Sequence, residues 1–120
     1  NVHVNRIPCD GEAKEVHYFP GKFFVASLDK ASLHNERNAV LMETPGGAKI
    51  VFVQIAGLVA RRIVCYLQKN MPVRRGERYG MIRFGSRMEV LLPPTWPILV
   101  KPGDKVHAGT SALAKMTEVS

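Results

Sequence analysis

The stretch that decides the fold is Tyr79-Gly-Met-Ile-Arg-Phe-Gly-Ser-Arg-Met-Glu-Val-Leu-Leu-Pro93, in which two apolar runs of β type flank Gly85-Ser86. Glycine has no Cβ, so the backbone at Gly85 leaves room for the Ser86 hydroxyl to approach the carbonyl that precedes it. A Gly-Ser pair between strands is most often an ordinary turn. The other interpretation is a bond that cleaves itself, and the surrounding sequence has to decide between the two.

Glycine and proline recur at short intervals along the chain, with short β-branched and aromatic runs between them. This pattern is typical of an all-β sandwich or barrel. It predicts strands near residues 13–18, 38–43, 49–55, 61–67, 81–84, 88–92, 98–100 and 111–116. The clearest hairpin turn is Pro45-Gly46-Gly47, and only residues 27–35 allow a short helix.

The C-terminal stretch from Val100 to Ala114 contains a Pro-Gly-Asp turn and an Ala-Gly turn around a short strand. Such turns redirect the chain at both ends of a strand. The arrangement resembles that of lipoyl- and biotinyl-type hybrid barrels. We therefore predict a compact, mainly β barrel-sandwich with at most one short helix.

The composition is that of an ordinary globular domain, with 46% hydrophobic and 22% charged residues, and 120 residues suffice for a single domain over 1–120. The formal net charge of +7 favours anionic partners. No helix-turn-helix, zinc-finger or aromatic RNA-binding motif is present, so an anionic lipid surface is favoured over nucleic acid. A solvated basic face is the alternative. The arginines concerned are Arg61, Arg62, Arg74, Arg75, Arg78, Arg83 and Arg87.

Cys9 and Cys65 are far apart and form no paired motif, which predicts two free thiols. His17, His34 and His107 have no ligand-type neighbours at metal-binding spacing, so no metal site is expected. The apolar run over residues 50–67 is interrupted by polar side chains and is too short to span a bilayer. The chain starts without Met or a signal peptide, so we expect a fragment that lacks an upstream segment.

Six stretches, in order along the chain, carry a family resemblance. They are His3-Val-Asn-Arg-Ile-Pro8, Tyr18-Phe-Pro-Gly-Lys-Phe-Phe24, Asn35-Glu-Arg-Asn38, Gln54-Ile-Ala-Gly-Leu-Val-Ala-Arg-Arg-Ile63, Gly76-Glu-Arg-Tyr-Gly-Met-Ile-Arg-Phe-Gly-Ser86 and Pro102-Gly-Asp-Lys-Val-His-Ala-Gly109. Together they cover nearly the whole sequence, which makes them far more specific than the Gly-Ser pair alone. With these stretches the chain resembles the phosphatidylserine decarboxylases, and most closely their compact prokaryotic branch.

The resemblance implies that the Ser86 hydroxyl attacks the Gly85 carbonyl and that the chain separates into 1–85 and 86–120. Ser86 would then become a pyruvoyl group, a self-derived cofactor. Its ketone condenses with the amine of phosphatidylserine and accepts the electrons released as carbon dioxide leaves. The expected product is phosphatidylethanolamine.

The resemblance also suggests site residues. His3 matches a family active-site histidine, and the usual pKa of an imidazole suits it to return a proton after decarboxylation. A plain histidine on a surface strand of a basic N-terminal segment is the alternative. Arg6 stands where longer members carry a second histidine, and the acidic processing motif is missing from this sequence. Groups that activate Ser86 are therefore expected partly outside it. Asn35, Glu36 and Arg37 match a motif that would hold an active-site loop or the substrate phosphate, with a structural salt bridge as the alternative.

The aromatic residues around Pro20-Gly21 are expected to form a core cluster, with acyl-chain entry or membrane contact as the alternatives. They are Tyr18, Phe19, Phe23 and Phe24. The partners implied are the phospholipid substrate, an anionic membrane surface and the chain's own cleaved piece, with a homodimer left open. The location implied is peripheral, at the cytoplasmic face of the cell membrane.

Two competing functions remain. Leu28-Asp29-Lys30-Ala31 resembles a turn that presents Lys30 for covalent attachment, as in a lipoyl or biotinyl carrier domain. A degenerate, uncleaved homologue would only bind lipid or a partner. Intact mass separates the three: two pieces for the decarboxylase, a lysine adduct for the carrier and one unmodified chain for the degenerate homologue.

Overall fold

The structure is a computed structural model that describes residues 2–21, 35–57, 63–83 and 87–96. Within these ranges the chain forms eight strands and no helix, so the predicted all-β class is confirmed. The strands are β1 (Val2–Arg6), β2 (Gly11–Phe19), β3 (Arg37–Glu43), β4 (Lys49–Ile55), β5 (Val64–Cys65), β6 (Met71–Val73), β7 (Arg78–Arg83) and β8 (Arg87–Leu91).

The strands form two antiparallel sheets. The smaller sheet has the order β1-β7-β5, and the larger has the order β6-β2-β3-β4-β8. The rings of Phe52 on β4 and Tyr79 on β7 meet edge to face between the sheets, with centroids 4.9 Å apart. The two sheets therefore share one hydrophobic core.

The core follows from the alternation of side chains along each strand. On β3, Asn38, Val40 and Met42 are buried, while the residues between them are only partly buried. The buried side of β3 faces the smaller sheet. The apolar members of the core are Ile7, Cys9, Ala13, Val40, Met42, Ala48, Ile50, Phe52, Val73, Tyr79 and Trp96.

The hairpin predicted at Pro45-Gly46-Gly47 is present and joins β3 to β4. The Thr44 amide donates to the Ala48 carbonyl at 2.8 Å, and the Ala48 amide donates to the Thr44 hydroxyl at 3.1 Å. Gly47 has φ +90°, a left-handed conformation that favours glycine. The turn sets the register of β3 on β4 through to the far end of both strands.

The prediction for residues 49–55 coincides with β4, and those for residues 13–18, 38–43 and 88–92 agree with β2, β3 and β8 to within two residues at either end. The strand predicted over 61–67 is shorter, at Val64–Cys65, and residues 61–62 lie outside the described ranges. The strands predicted at 98–100 and 111–116 also lie outside them. So does the helix predicted over 27–35, except for its last residue, Asn35.

Two strands, β1 and β6, were not predicted. The β6 strand is only three residues long and contains Pro72, which usually argues against a strand. It is tolerated here because β6 is at the edge of its sheet, where one side of the strand needs no amide donor. Among the described residues there is no helix long and apolar enough to cross a membrane.

Candidate active site at one end of the sandwich

The Gly85-Ser86 bond lies in the segment that connects the two sheets. β7 ends at Arg83 in the smaller sheet and β8 begins at Arg87 in the larger one. The two strands do not pair with each other, because β7 pairs with β1 and β5 while β8 pairs with β4. Four residue steps reach at most about 14 Å, so these strand ends are close together. The connection is therefore not the turn of a hairpin, although residues 84–86 themselves are outside the described ranges.

The backbone of His3 lies beside the end of β7. In the antiparallel pairing of β1 with β7, His3 is opposite Ile82 and Val2 is opposite Arg83. The first residues of β1 are thus next to the last residues before the Gly85-Ser86 segment. This register is compatible with the predicted part of His3 in the chemistry, which stays a prediction.

The Asn35-Glu36-Arg37 motif lies at the same end, in the larger sheet. Arg37 is opposite Ile55, and Ile55 is opposite Arg87, the residue that follows Ser86. One residue further on, the Ala56 amide donates to the Glu36 carbonyl at 2.9 Å. Neighbouring strands are about 4.8 Å apart, which puts the start of β3 about 10 Å from the start of β8.

Asn35 and Glu36 are held firmly at this position. The fully buried Asn35 side chain donates from Nδ2 to the Ala56 carbonyl at 2.5 Å. The Tyr18 hydroxyl donates to Oε2 of Glu36, and this hydrogen bond raises the pKa of Tyr18. Both side chains therefore have a fixed orientation at the end of the sandwich.

Arg37 is not paired with Glu36. Its Nη1 donates to the Asn35 carbonyl at 3.1 Å. Its guanidinium lies 4.4 Å from the ring centroid of Phe19, the residue opposite Arg37 on the neighbouring strand β2. The ion pairs within the described ranges are Lys14–Glu12, His17–Glu15 and Arg87–Glu89. The alternative of a salt bridge inside the motif has no support among these contacts.

A buried polar layer lies just beneath this end. Gln54 is fully buried; its Nε2 donates to Asn5 Oδ1 at 2.8 Å and to the Val64 carbonyl at 3.0 Å, and its Oε1 accepts from Asn38 Nδ2 at 3.1 Å. These bonds connect β4 with β1 and β5 of the other sheet. Gly80 allows the close approach of β7 and β5 at this layer, because a Cβ there would be 2.1 Å from the Val64 carbonyl oxygen. One side chain thus joins the two sheets beneath the candidate site.

We expect Gln54→Leu to lower the free energy of unfolding of the intact protein by about 3 kcal/mol, because it leaves several buried polar groups without partners. Urea unfolding measures the change. Thr44→Val is the matched control, since it removes one buried hydrogen bond at the opposite end of the same strand pair. A loss for Gln54→Leu no larger than for Thr44→Val would contradict the prediction.

The expected core cluster of aromatic residues around Pro20-Gly21 is wrong for the two that lie at the end of β2. Tyr18 is 54% exposed and Phe19 is 40% exposed, so neither belongs to a core cluster. Phe19 is instead covered in part by the Arg37 guanidinium. Phe23 and Phe24 lie outside the described ranges, as does Lys30, the residue proposed for a carrier function.

The two cysteines are free thiols, as predicted. Burial, with a contribution from the negative charge of Asp10, raises the pKa of Cys9 to about 11, and burial also raises the pKa of Cys65. In both residues burial therefore favours the protonated thiol over the thiolate, which is the nucleophilic form of cysteine. Within the described part of the chain, no three His, Cys, Asp or Glu side chains are grouped as metal ligands.

The sequence interpretation missed three residues of this end. Asn5 and Gln54 lie within the quoted motifs but received no role, and Tyr18 was treated only as an aromatic residue. A signal for Gln54 was present, because it interrupts the apolar run Lys49–Ile55 at a position whose neighbours along the strand are buried. A polar residue at such a position requires buried partners.

Comparison of the sequence with known proteins identifies its family. The family model of phosphatidylserine decarboxylase matches residues 1–114. The phosphatidylserine decarboxylase proenzymes of Rickettsia typhi and Rickettsia prowazekii are each 60% identical over 114 residues, which is 95% of this chain and 49% of theirs. The proenzyme of Rickettsia bellii matches over the same extent. No solved structure matches.

The described residues define a β-sandwich of two sheets, in which the strand before the Gly-Ser pair belongs to one sheet and the strand after it belongs to the other. The chain belongs to the phosphatidylserine decarboxylase family. It spans about half the length of the curated relatives it matches, at 49%.

Proposed function

We propose that the protein is a pyruvoyl-dependent decarboxylase that converts phosphatidylserine to phosphatidylethanolamine after self-cleavage between Gly85 and Ser86. The observation that carries the proposal is the position of the strands on either side of this bond. β7 ends beside the start of β1, which carries His3, and β8 begins two strand spacings from the start of β3, which follows Asn35 and Glu36. The relatives' designation as decarboxylase proenzymes supports the same reaction and the need for processing.

The residues present fit a cofactor made from the chain itself. A serine follows a glycine in a segment that spans from one sheet to the other, and attack of its hydroxyl on the Gly85 carbonyl converts the peptide bond into an ester. Elimination of that ester releases Gly85 as a carboxylate, and hydrolysis of the resulting dehydroalanine consumes water, releases ammonia and leaves a pyruvoyl group at residue 86. Its chemistry when formed is to act as an electron sink for the departing carboxylate.

The chain's own residues supply the remaining roles. We assign His3 to return a proton to the carbon that loses carbon dioxide. Arg37 is proposed to bind the substrate phosphate, since its described hydrogen bond uses only one of its five N–H donors. Asn35 fixes the backbone there through its bond to Ala56, and Glu36 completes the substrate-binding motif.

The test is the intact mass of the purified protein together with carbon dioxide release from phosphatidylserine. We expect two pieces that meet between residues 85 and 86, and activity without added pyridoxal phosphate. Borohydride added with substrate should abolish activity and add mass only to the piece that begins at residue 86. One uncut chain would favour the degenerate homologue, an adduct on Lys30 would favour the carrier, and a requirement for pyridoxal phosphate would overturn the cofactor.

We further propose that the protein binds an anionic membrane surface peripherally, at the cytoplasmic face, together with its own cleaved piece. The net charge of +7 supports this, as do the exposed side chains of Arg74, Arg75 and Arg78 on neighbouring parts of one loop and strand. Each basic side chain near an anionic surface contributes about 1 kcal/mol. A homodimer is a further partner that sedimentation would detect.

Charge reversal of Arg74 and Arg75 to Glu should weaken binding to phosphatidylserine vesicles about tenfold or more at low salt, because it replaces attraction by repulsion. High salt should abolish the difference, since exposed charges are screened beyond ~10 Å at 0.1 M salt. Vesicle sedimentation measures both effects. Reversal of the exposed Lys49 and Lys69 makes the same change in net charge and is the control. Equal weakening by the two pairs would contradict a localised basic surface.

A further inference from the structure

Glu36 carries a buried carboxylate oxygen that the rest of the described site does not use. The residue is only 7% exposed, and its Oε2 accepts from the Tyr18 hydroxyl. Its Oε1 is buried and has no hydrogen-bond partner. Leaving a charged acceptor unpaired in the interior is costly, so this oxygen is suited to a donor that arrives from outside.

No cation within the described ranges neutralises this carboxylate. The ion pairs found there do not include Glu36. The adjacent Arg37 is directed to the Phe19 ring and to the Asn35 carbonyl. Within these ranges, one carboxylate oxygen of Glu36 is fixed by Tyr18, and the other is buried without a hydrogen-bond partner.

The backbone of Glu36 lies at the end of the sandwich where β8 begins. The Glu36 carbonyl is bonded to Ala56, and the preceding residue of β4, Ile55, is opposite Arg87. Glu36 is thus about two strand spacings, or about 10 Å, from the first residue of β8. The headgroup of a phospholipid that reacts at residue 86 has to lie in this region.

We propose that Glu36 binds the primary ammonium group of the substrate headgroup through Oε1. This inference rests on the proposed function and adds the chemistry that Glu36 recognises. An ammonium group offers three N–H donors and a positive charge, and a charge-assisted bond of this kind is about twice as strong as a neutral one. The same carboxylate repels a phosphate. Before the amine reacts at residue 86, Glu36 and Arg37 therefore orient the headgroup with its amine at Glu36 and its phosphate at Arg37.

The test compares two inhibitors of the intact, processed enzyme: vesicle-borne phosphatidylethanolamine, which has a primary amine, and phosphatidylglycerol, which has none. In Glu36→Gln we expect inhibition by phosphatidylethanolamine to weaken about tenfold or more, because the charge is removed while the size is kept. Inhibition by phosphatidylglycerol should stay within twofold. Glu43→Gln makes the same change at the opposite end of β3 and should leave both values unaltered.

Parallel weakening of both lipids, or no change in either, would overturn the assignment of Glu36. If Glu36→Gln is not processed, Tyr18→Phe decides, because Tyr18 is half exposed and its hydroxyl fixes the orientation of the carboxylate. A change of threefold or more confined to phosphatidylethanolamine supports the inference, and any other result overturns it. Cleavage and turnover of the wild-type enzyme are measured alongside. If both are normal, a negative result with the variants overturns only the role of Glu36; if the wild type is uncut or inactive, the proposed function itself fails.

Discussion

Ser86→Ala is expected to give one uncut chain with no decarboxylase activity. The substitution removes the hydroxyl that attacks the Gly85 carbonyl, and no other residue supplies the atoms of the pyruvoyl group. The effect is all-or-none, because the same side chain is both the nucleophile of cleavage and the precursor of the cofactor. Intact mass gives the cut fraction, and carbon dioxide release from phosphatidylserine gives the activity.

Ser111→Ala is the control for this experiment, since Ser111 has no assigned part in cleavage. It should be cut to the same extent as the wild type. Normal cutting of Ser86→Ala would move the cleavage site elsewhere. Cutting that is lost while carbon dioxide release is retained would separate the activity from the pyruvoyl group, and would contradict the proposed mechanism.

Much of the larger sheet could be predicted because its strands carry local signals. The β4 strand is a continuous apolar run that begins just after a glycine-containing turn, and its bounds agree with the prediction. The turn itself holds Gly47 in a left-handed conformation, which the Pro-Gly-Gly sequence already indicates. Alternation along β3 then follows from burial of one face.

The short strands could not be predicted in the same way. The β1 and β6 strands depend on partners distant in sequence, β7 for one and β2 for the other. Pro72 and the polar residues of β1 give local signals that oppose a strand. Tertiary pairing outweighs those local signals, because each segment completes the backbone hydrogen bonds of a longer neighbour.

The residue types of the candidate site could be predicted from the sequence, but their relative positions could not. Motifs identify His3, Asn35 and Ser86 as residue types, but they carry no information about register. The structure adds that β1 begins where β7 ends and that β3 begins two strands from the start of β8. The buried bonds of Gln54 add a reason why both sheets keep this alignment. Such bonds depend on side chains meeting across the core, which local sequence does not reveal.

His3→Ala should lower turnover by about 100-fold or more while most of the chain is still cut. Loss of a general acid or base typically costs 10²–10⁴-fold, and His3 is assigned to proton return after decarboxylation. Cleavage is proposed to depend on the Ser86 hydroxyl, which this substitution leaves in place, so it is expected to be affected much less. The cut fraction by intact mass and the turnover per cut molecule separate the two steps.

His17→Ala is the matched control for His3→Ala. His17 is exposed on β2, where its ring nitrogen lies 2.9 Å from the Glu15 carboxylate, and it is outside the proposed site. Its replacement should leave both cutting and turnover unchanged. Equal losses of cutting and turnover in His3→Ala would place His3 in the processing step instead. The start of β1 lies directly beside the last residues of β7, so the backbone geometry is compatible with a role of His3 in processing as well as in proton return. Only the loss of cutting compared with the loss of turnover distinguishes the two roles.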